Sequence, residues 1–543
     1  MSSQTILDLL DAAEINGFVE LGGLIGRLTG ERRLHGARRD GRAIGAAGLA
    51  GIPVTGVTND SRTVRPGSLF VAIPGLHADG HDFVAAAASA GAAAALVERA
   101  LPEVAIPQLI VSETRPALAT AAAWWYRDPG DDLAVVGITG TDGKTTTSYL
   151  AVAALEAAGV RTGMTGTAAT RIGGVQEANL AHATTPEAPA LQRALRAMAL
   201  AGDAAVVIET TSHGLALGRV DAIAYDVAIL TNLTHEHLEL HGTWEAYRAA
   251  KLRLFEKLAR SGAAVSAVGK PLAWPRTGIV NADDPSAGAF IGVAQEAGAH
   301  VLTYGTDPAA DIRATHVEED QRRLRIAYEA PSGAATVDLR LMGRFNVHNA
   351  LAVVALGEAI GLDPAAVREG LASVVVIPGR MERIDLGQPF GVIVDFAHSP
   401  ASLQTVLDLL APLAASRGGG LITVFGSAGE RDTAKRPLMG RIAGERARLV
   451  VLTDEDPRGE DSNEILDAIA RGAEAGGKRR DRDLLVIADR RAAIEAAFER
   501  ARPGDIVLLA GKGHEQAIIG PHGPQPWDER AEAESALHRA GYG

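Results

Sequence analysis

Short apolar runs recur along most of the chain, each bounded by glycine, proline or charged residues and followed by a longer stretch with helical spacing. Leu69-Phe-Val-Ala-Ile73 predicts a strand among alanine-rich helices. The run Phe83–Val97, between Asp82 and Glu98, predicts a buried helix shorter than the ~20 residues of a membrane span. Arg127-Asp-Pro-Gly-Asp-Asp132 reads as a turn that closes this first unit. A second unit opens on the apolar strand Leu133–Ile138 and continues through strands at Ala204–Ile208 and Asp226–Leu230. Near Ile377-Pro-Gly-Arg380 the pattern restarts, with strands at Val392–Val394, Leu421–Phe425, Leu449–Leu452, Leu484–Ile487 and Ile506–Leu509. Strands alternating with helices imply mostly parallel sheets. The expected fold is α/β in three domains. Residues 1–130 form an irregular tail to about residue 50, with order starting near Val54, followed by a small α/β domain. Residues 131–377 form a central parallel-sheet domain, and 378–543 a Rossmann-like doubly wound one.

In the third unit, the polar residues fall directly after apolar strands: Asp395 and His398, Gly426–Arg431, Asp454–Arg458, and Gly511–Glu515. Ligands of open α/β sheets bind beyond the carboxyl ends of the strands, so these segments are candidate contacts. Composition narrows the ligand class. The aromatic share of 4% gives no base-stacking surface and argues against nucleic acid, and the net charge of −13 leaves any polyphosphate to local amides and a few cations. With no cysteine, disulfides and zinc-thiolate sites are excluded. Met1–Asp11 carries two aspartates and no basic residue, unlike a secretory signal, so a cytoplasmic protein without a membrane partner is expected, and a monomer.

Gly137-Ile-Thr-Gly-Thr-Asp-Gly-Lys-Thr145 follows a strand and opens a helix. Its amides can cradle phosphates, Lys144 can reach the β/γ oxygens, and Thr145 can ligate Mg²⁺. Its spacing departs from the common P-loop, because Ile138 stands where the first glycine would. Glu209 closes the run Ala204–Ile208, where a strand-end carboxylate for the metal would sit, though alone it is ambiguous. Thr231–Gly242 gathers histidines and glutamates and is followed by Lys251 on a helix over Trp244–Leu258; on spacing alone it is a metal or phosphate contact or a solvated polar turn.

Together these segments resemble the Mur ligase family, specifically the synthetases that add the third residue of the peptidoglycan stem peptide. The resemblance runs from Val57 to Glu515 through Asp60-Ser-Arg62, Asp79-Gly-His81, Thr184-Thr-Pro186, Glu209-Thr-Thr-Ser-His213, Asn281-Ala-Asp-Asp-Pro285, Asn346-Val-His-Asn349, Pro378-Gly-Arg-Met-Glu382, Asp395-Phe-Ala-His398, Asp456-Pro-Arg458 and Gly511-Lys-Gly-His-Glu515. It implies an ATP-dependent ligase in which a UDP-MurNAc-dipeptide carboxylate takes the γ-phosphoryl group and an amino acid's amine captures the acyl phosphate. The small-molecule partners would be that acceptor, ATP and the amino acid, with two Mg²⁺ ions. By the same resemblance Gly140, Thr141, Asp142, Gly143, Lys144, Thr145, Thr146, Asn281, Asp284, Arg380 and Asp395 bind ATP. Lys144, Glu209, His237 and Lys251 are catalytic, and Thr145, Glu209, His237 and a carbamylated Lys251 hold metal. Ser61, Thr184, Thr185, Ser212 and Arg219 meet the UDP-MurNAc-peptide. Four positions depart from the family pattern: Ala183 replaces an asparagine, Asp142 replaces another in the phosphate loop, and Glu236 and Glu239 replace aspartates. Nearest rivals are a folylpolyglutamate or cyanophycin type of peptide ligase, a different Mur step, and an inactive, ligase-like nucleotide switch.

The resemblance places the incoming amino acid on Arg431, Asp456, Arg458, Gly511 and Glu515. Arginines suit its carboxylates and Glu515 its ammonium. Diaminopimelate enzymes read Asp-Asn-Pro-Arg where this chain has Glu455-Asp-Pro-Arg458. Arg458 argues for a distal carboxylate, hence meso-diaminopimelate, whereas the added charge of Asp456 favours a bare ammonium, as in L-lysine or L-ornithine. The balance leans to diaminopimelate.

Overall fold

The computed structural model describes residues 4–75, 78–179, 183–234, 241–259, 272–320 and 323–543. They form three large open sheets covered by helices, with two two-stranded ribbons besides, the α/β architecture expected. Among the described residues no helix is long and apolar enough to cross a membrane.

The first sheet has the strand order Arg42–Ile44, Leu34–Arg39, Gln108–Val111, Ala94–Val97, Ser68–Val71, Gly56–Thr58. This corrects two expectations. The first fifty residues are not an irregular lead-in, since they supply two antiparallel strands of this sheet and the helix Gly22–Gly30 that packs on it. The alanine-rich run is not one helix: Val84–Ser89 is helical, Gly91 turns the chain at φ +95°, and Ala94–Val97 is a fully buried strand. Alanine's helix propensity is overridden there because both neighbouring strands pair with this segment.

The helix Ile6–Ala12 belongs elsewhere. Its Ile6 and the following Ala13 join the core of the central sheet beside Leu133 and Val135, and the Ile6 amide donates to Glu177 Oε1 at 3.0 Å.

The central sheet has eleven strands, with a parallel run from Thr162–Thr165 through Ala205–Glu209, Ala134–Thr139, Val227–Leu230, Thr277–Asn281 and His300–Gly305 to Ile312–Glu319. Antiparallel hairpin strands extend both edges. The buried face of Lys144–Ala157 covers one side together with Asn346–Ile360, and Trp244–Glu256 covers the other.

The third sheet runs Glu382–Ile384, Gly391–Asp395, Ile506–Ala510, Leu421–Phe425, Leu449–Leu452, Leu484–Val486, parallel except for its first strand. All five strands expected from the apolar runs are present. Buried Arg490 ties two of their ends together: it pairs with Glu529 at 2.7 Å and donates to the carbonyls of Asp454 and Ala510.

Candidate active site

One cavity of about 1130 Å³ is lined by residues that follow strands of both the central and the third sheet. Its floor is the loop 140–143, between the strand Ala134–Thr139 and the helix Lys144–Ala157. The turn needs glycine at both ends. Gly140 has φ +152° and a Cβ there would lie 1.8 Å from Thr231 Oγ1, while Gly143 has φ +85° and a Cβ would lie 2.4 Å from Asn349 Oδ1. The Thr141 and Asp142 amides donate to Asn232, and the Thr141 hydroxyl lies 2.9 Å from Tyr247 OH. Lys144 Nζ donates to the carbonyls of Gly140 and Thr141 at 2.9 and 2.7 Å, so its charge lies over the loop and the helix N-terminus, with Thr146 buried one position further on than Thr145.

Thr145 donates to Glu209 Oε2 at 3.0 Å. Glu209 is fully buried, and its carboxylate also accepts the Thr167 amide at 3.0 Å and hydroxyl at 2.9 Å. The close approach depends on Gly166, where a Cβ would lie 2.1 Å from Glu209 Oε1. Thr167 is a site residue that sequence reasoning missed; its one signal is that it follows the strand neighbouring that of Glu209. The Thr184 hydroxyl lies 2.9 Å from that of Thr167. Thr185 donates to the Glu209 carbonyl at 2.8 Å, and Arg219 locks this turn by donating to the Thr185 carbonyl at 2.8 Å and pairing with Glu187 at 2.6 Å. Ser212 is buried at the start of the helix Ser212–Ala216. Ser61 stands apart in the first unit, in the turn Ser61–Thr63 capped by Asp60, and is not among the residues lining the cavity.

Lys251 is one of the largest fully buried side chains. Its Nζ lies 2.7 Å from the Gly140 carbonyl and 4.7 Å from the Tyr247 ring centre, behind the phosphate loop and not on the surface. His237 lies outside the described residues. Glu209 and Thr145 are hard oxygen donors at a helix N-terminus and suit Mg²⁺. Asn281 and Asp284 are buried and tie down the 231–234 segment: Asn281 donates to the Thr231 carbonyl at 2.7 Å, and Asp284 accepts the Leu233 amide at 2.5 Å.

From the third unit Arg380 reaches across, donating to Thr145 Oγ1 at 3.3 Å while its guanidinium stacks 4.6 Å from the Phe396 ring centre. Asp395 accepts the amides of Met381 and Ala397, both at 2.8 Å; burial raises its pKa against the pull of Arg380. His514 lies against Phe396 and hydrogen-bonds the Thr167 backbone. Burial, with the Arg380 charge beside it, pushes its pKa down to about 3.

Arg431, Asp456, Arg458 and Glu515 line the same cavity. Gly511 has φ +99°, and a Cβ there would lie 2.9 Å from Glu455 Oε2. The fully buried Lys512 is a second residue the sequence did not single out. Its Nζ lies 2.8 Å from Asp456 Oδ1 and 2.7 Å from Glu515 Oε2. Asp456 therefore does not present a free charge, contrary to the assumption behind the argument for lysine.

Comparison with known proteins agrees with this geometry. Residues 53–126 match the model of the Mur ligase family, catalytic domain, 138–357 that of the Mur ligase middle domain, and 379–513 that of the Mur ligase, glutamate ligase domain. The UDP-N-acetylmuramyl-tripeptide synthetase of Roseiflexus sp. (strain RS-1) is 48% identical over 90% of this chain and 96% of that protein. A UDP-N-acetylmuramoyl-L-alanyl-D-glutamate–2,6-diaminopimelate ligase of Solibacter usitatus (strain Ellin6076) is 41% identical over 91% and 95%. A solved structure of an enzyme bearing the latter name superimposes with a TM-score of 0.61 at 31% identity, covering 91% of this chain and 97% of that one. The chain belongs to the Mur ligase family.

Proposed function

We propose that this protein is the ATP-dependent ligase that joins an amino acid to UDP-N-acetylmuramoyl-L-Ala-D-Glu in peptidoglycan synthesis, acting in three domains divided near residues 130 and 377. The observation that carries this reading is a single cavity lined both by the phosphate-loop residues Thr141 to Thr146, with Glu209 buried behind Thr145, and by Arg431, Arg458 and Glu515. Transfer between two anions needs alignment and charge neutralisation more than covalent help. The loop amides and Lys144 hold the β/γ-phosphates, and Arg380 brings a cation from the third domain to the transferring group. Thr184, Thr185, Ser212 and Arg219 shape the turn that meets the muramoyl-peptide, and Ser61 meets the uridine nucleotide. Asn281 and Asp284 hold the segment beside the adenine, and Asp395 fixes the backbone on either side of Arg380. The acceptor carboxylate attacks the γ-phosphorus, ADP leaves, and the amine displaces phosphate from the acyl phosphate to give the amide.

The oxygen donors Thr145 and Glu209 would hold one Mg²⁺ ion, and the family resemblance adds a second, which His237, through imidazole nitrogen, and Lys251, carbamylated on Nζ, would hold. When bound they neutralise phosphate charge. The amino acid favoured is meso-diaminopimelate, because Arg458 supplies a cation for a distal carboxylate and Asp456 is paired internally. The test is phosphate release with that acceptor against diaminopimelate, lysine and ornithine. Release that needs both acceptor and amino acid is expected; hydrolysis indifferent to both would mark a nucleotide switch.

A further inference from the structure

Two carboxylates that line the cavity, Asp456 and Glu515, share one ammonium, that of Lys512. The lysine side chain is wholly inaccessible, so it does not touch a ligand and acts only through its partners. Burial works against its charge, yet the Glu515 and Asp456 carboxylates outweigh burial and raise its pKa above the ordinary lysine value. Asp456 Oδ1 also accepts the Ile519 amide at 2.9 Å, which leaves it a bridge between Lys512 and the chain that pairs with the Arg458 amide at 2.8 Å. Glu455, one residue away, contrasts with it: Oε2 is buried with no hydrogen-bond partner among the described residues. The lysine therefore decides which of these carboxylates remain available.

Resting on the function proposed above, we propose that Lys512 is a positioning residue that sets the charge of the amino-acid pocket. By neutralising one of the two carboxylate charges it shares, it lowers the negative charge that the pocket offers the ligand, and the pocket prefers a distal ammonium-carboxylate pair, neutral as a whole, to a bare cation. A diaminopimelate tail carries no net charge and a lysine tail carries one positive charge. A single unit charge gained or lost beside the bound tail is enough to change the preference about tenfold or more.

The experiment measures kcat/KM of the full-length protein for meso-diaminopimelate and for L-lysine, with UDP-N-acetylmuramoyl-L-Ala-D-Glu and ATP saturating. Lys512→Met is expected to lower the diaminopimelate-to-lysine ratio at least about tenfold, and adding Asp456→Asn to it should restore the ratio. Asp456→Asn alone keeps Lys512 anchored on Glu515 and should raise the ratio, so the proposal stays testable if Lys512→Met does not fold. An unchanged ratio in these variants, or parallel loss for both amino acids without restoration in the double variant, overturns the role of Lys512. A wild-type protein that makes amide with neither amino acid overturns the proposed function itself, and this inference with it.

Discussion

Arg380 and Thr145 meet at 3.3 Å although they lie in different domains, one at the entry to the third sheet and the other in the first turn of the phosphate-loop helix. Arg380 also stacks on Phe396, so its approach reports the position of the third domain. Replacing it with alanine should lower kcat by about a hundredfold or more, as loss of a preorganised cation does, with little change in Tm. Arg380→Lys should recover only part, since a lysine cannot both stack and donate from a planar fork. Steady-state phosphate release and a thermal melt check both.

Lys251 should behave as a catalytic lysine and not as a core residue. Lys251→Met fills the same volume, and is expected to abolish turnover while the protein remains folded. If the amine acts as a carbamate, wild-type activity should fall in CO₂-free buffer and return with bicarbonate. Activity that ignores bicarbonate would sink the carbamate.

The buried His514 makes a pH prediction. Its folded pKa is about 3, below the unfolded value of about 6.5, so the unfolded chain binds the extra proton first. The contribution to stability is complete above about pH 6.5 and is lost as pH falls toward 3. His514→Gln should therefore flatten the acid limb of the stability curve over that window, measured by denaturant unfolding at several pH values.

Gly140→Ala should be severe, because the added carbon would lie 1.8 Å from Thr231 Oγ1 on a backbone at φ +152°. A loss of about 2–4 kcal/mol is expected, together with loss of nucleotide binding. Thr231→Ser retains the hydroxyl and should not rescue it; Thr231→Gly should rescue stability in part.

Much of the third domain could be read from the chain, because its strands Leu449–Leu452 and Ile506–Ala510 are continuous apolar runs, and Leu421–Phe425 one broken only by Thr423, all buried on both faces. The first fifty residues could not. The strand Leu34–Arg39 has only one fully buried position, so its alternation is broken by arginine and histidine. In the site, the phosphate loop follows a strand and Glu209 ends one, so both are visible by position. Thr167 and Lys512 were not, since nothing in their spacing says that one reaches a carboxylate on the neighbouring strand and the other is sealed between Asp456 and Glu515. Burial of Lys251 against Gly140 was hidden for the same reason: helix Trp244–Glu256 has to be docked before its inward face is known.

The docking of Ile6–Ala12 on the central core has a mechanical consequence. The chain passes between the first and central units twice, once after this helix and again at 127–133, and Arg27 pairs with Asp128 at 2.5 Å beside the second crossing. The third unit is joined by one crossing, at 374–381. A body held by two tethers resists rotation, and one held by a single tether swings. The third unit, with Val375 and Val376 exposed in its single tether, therefore depends on side-chain contacts such as that of Arg380 with Thr145 to hold its place against the phosphate loop.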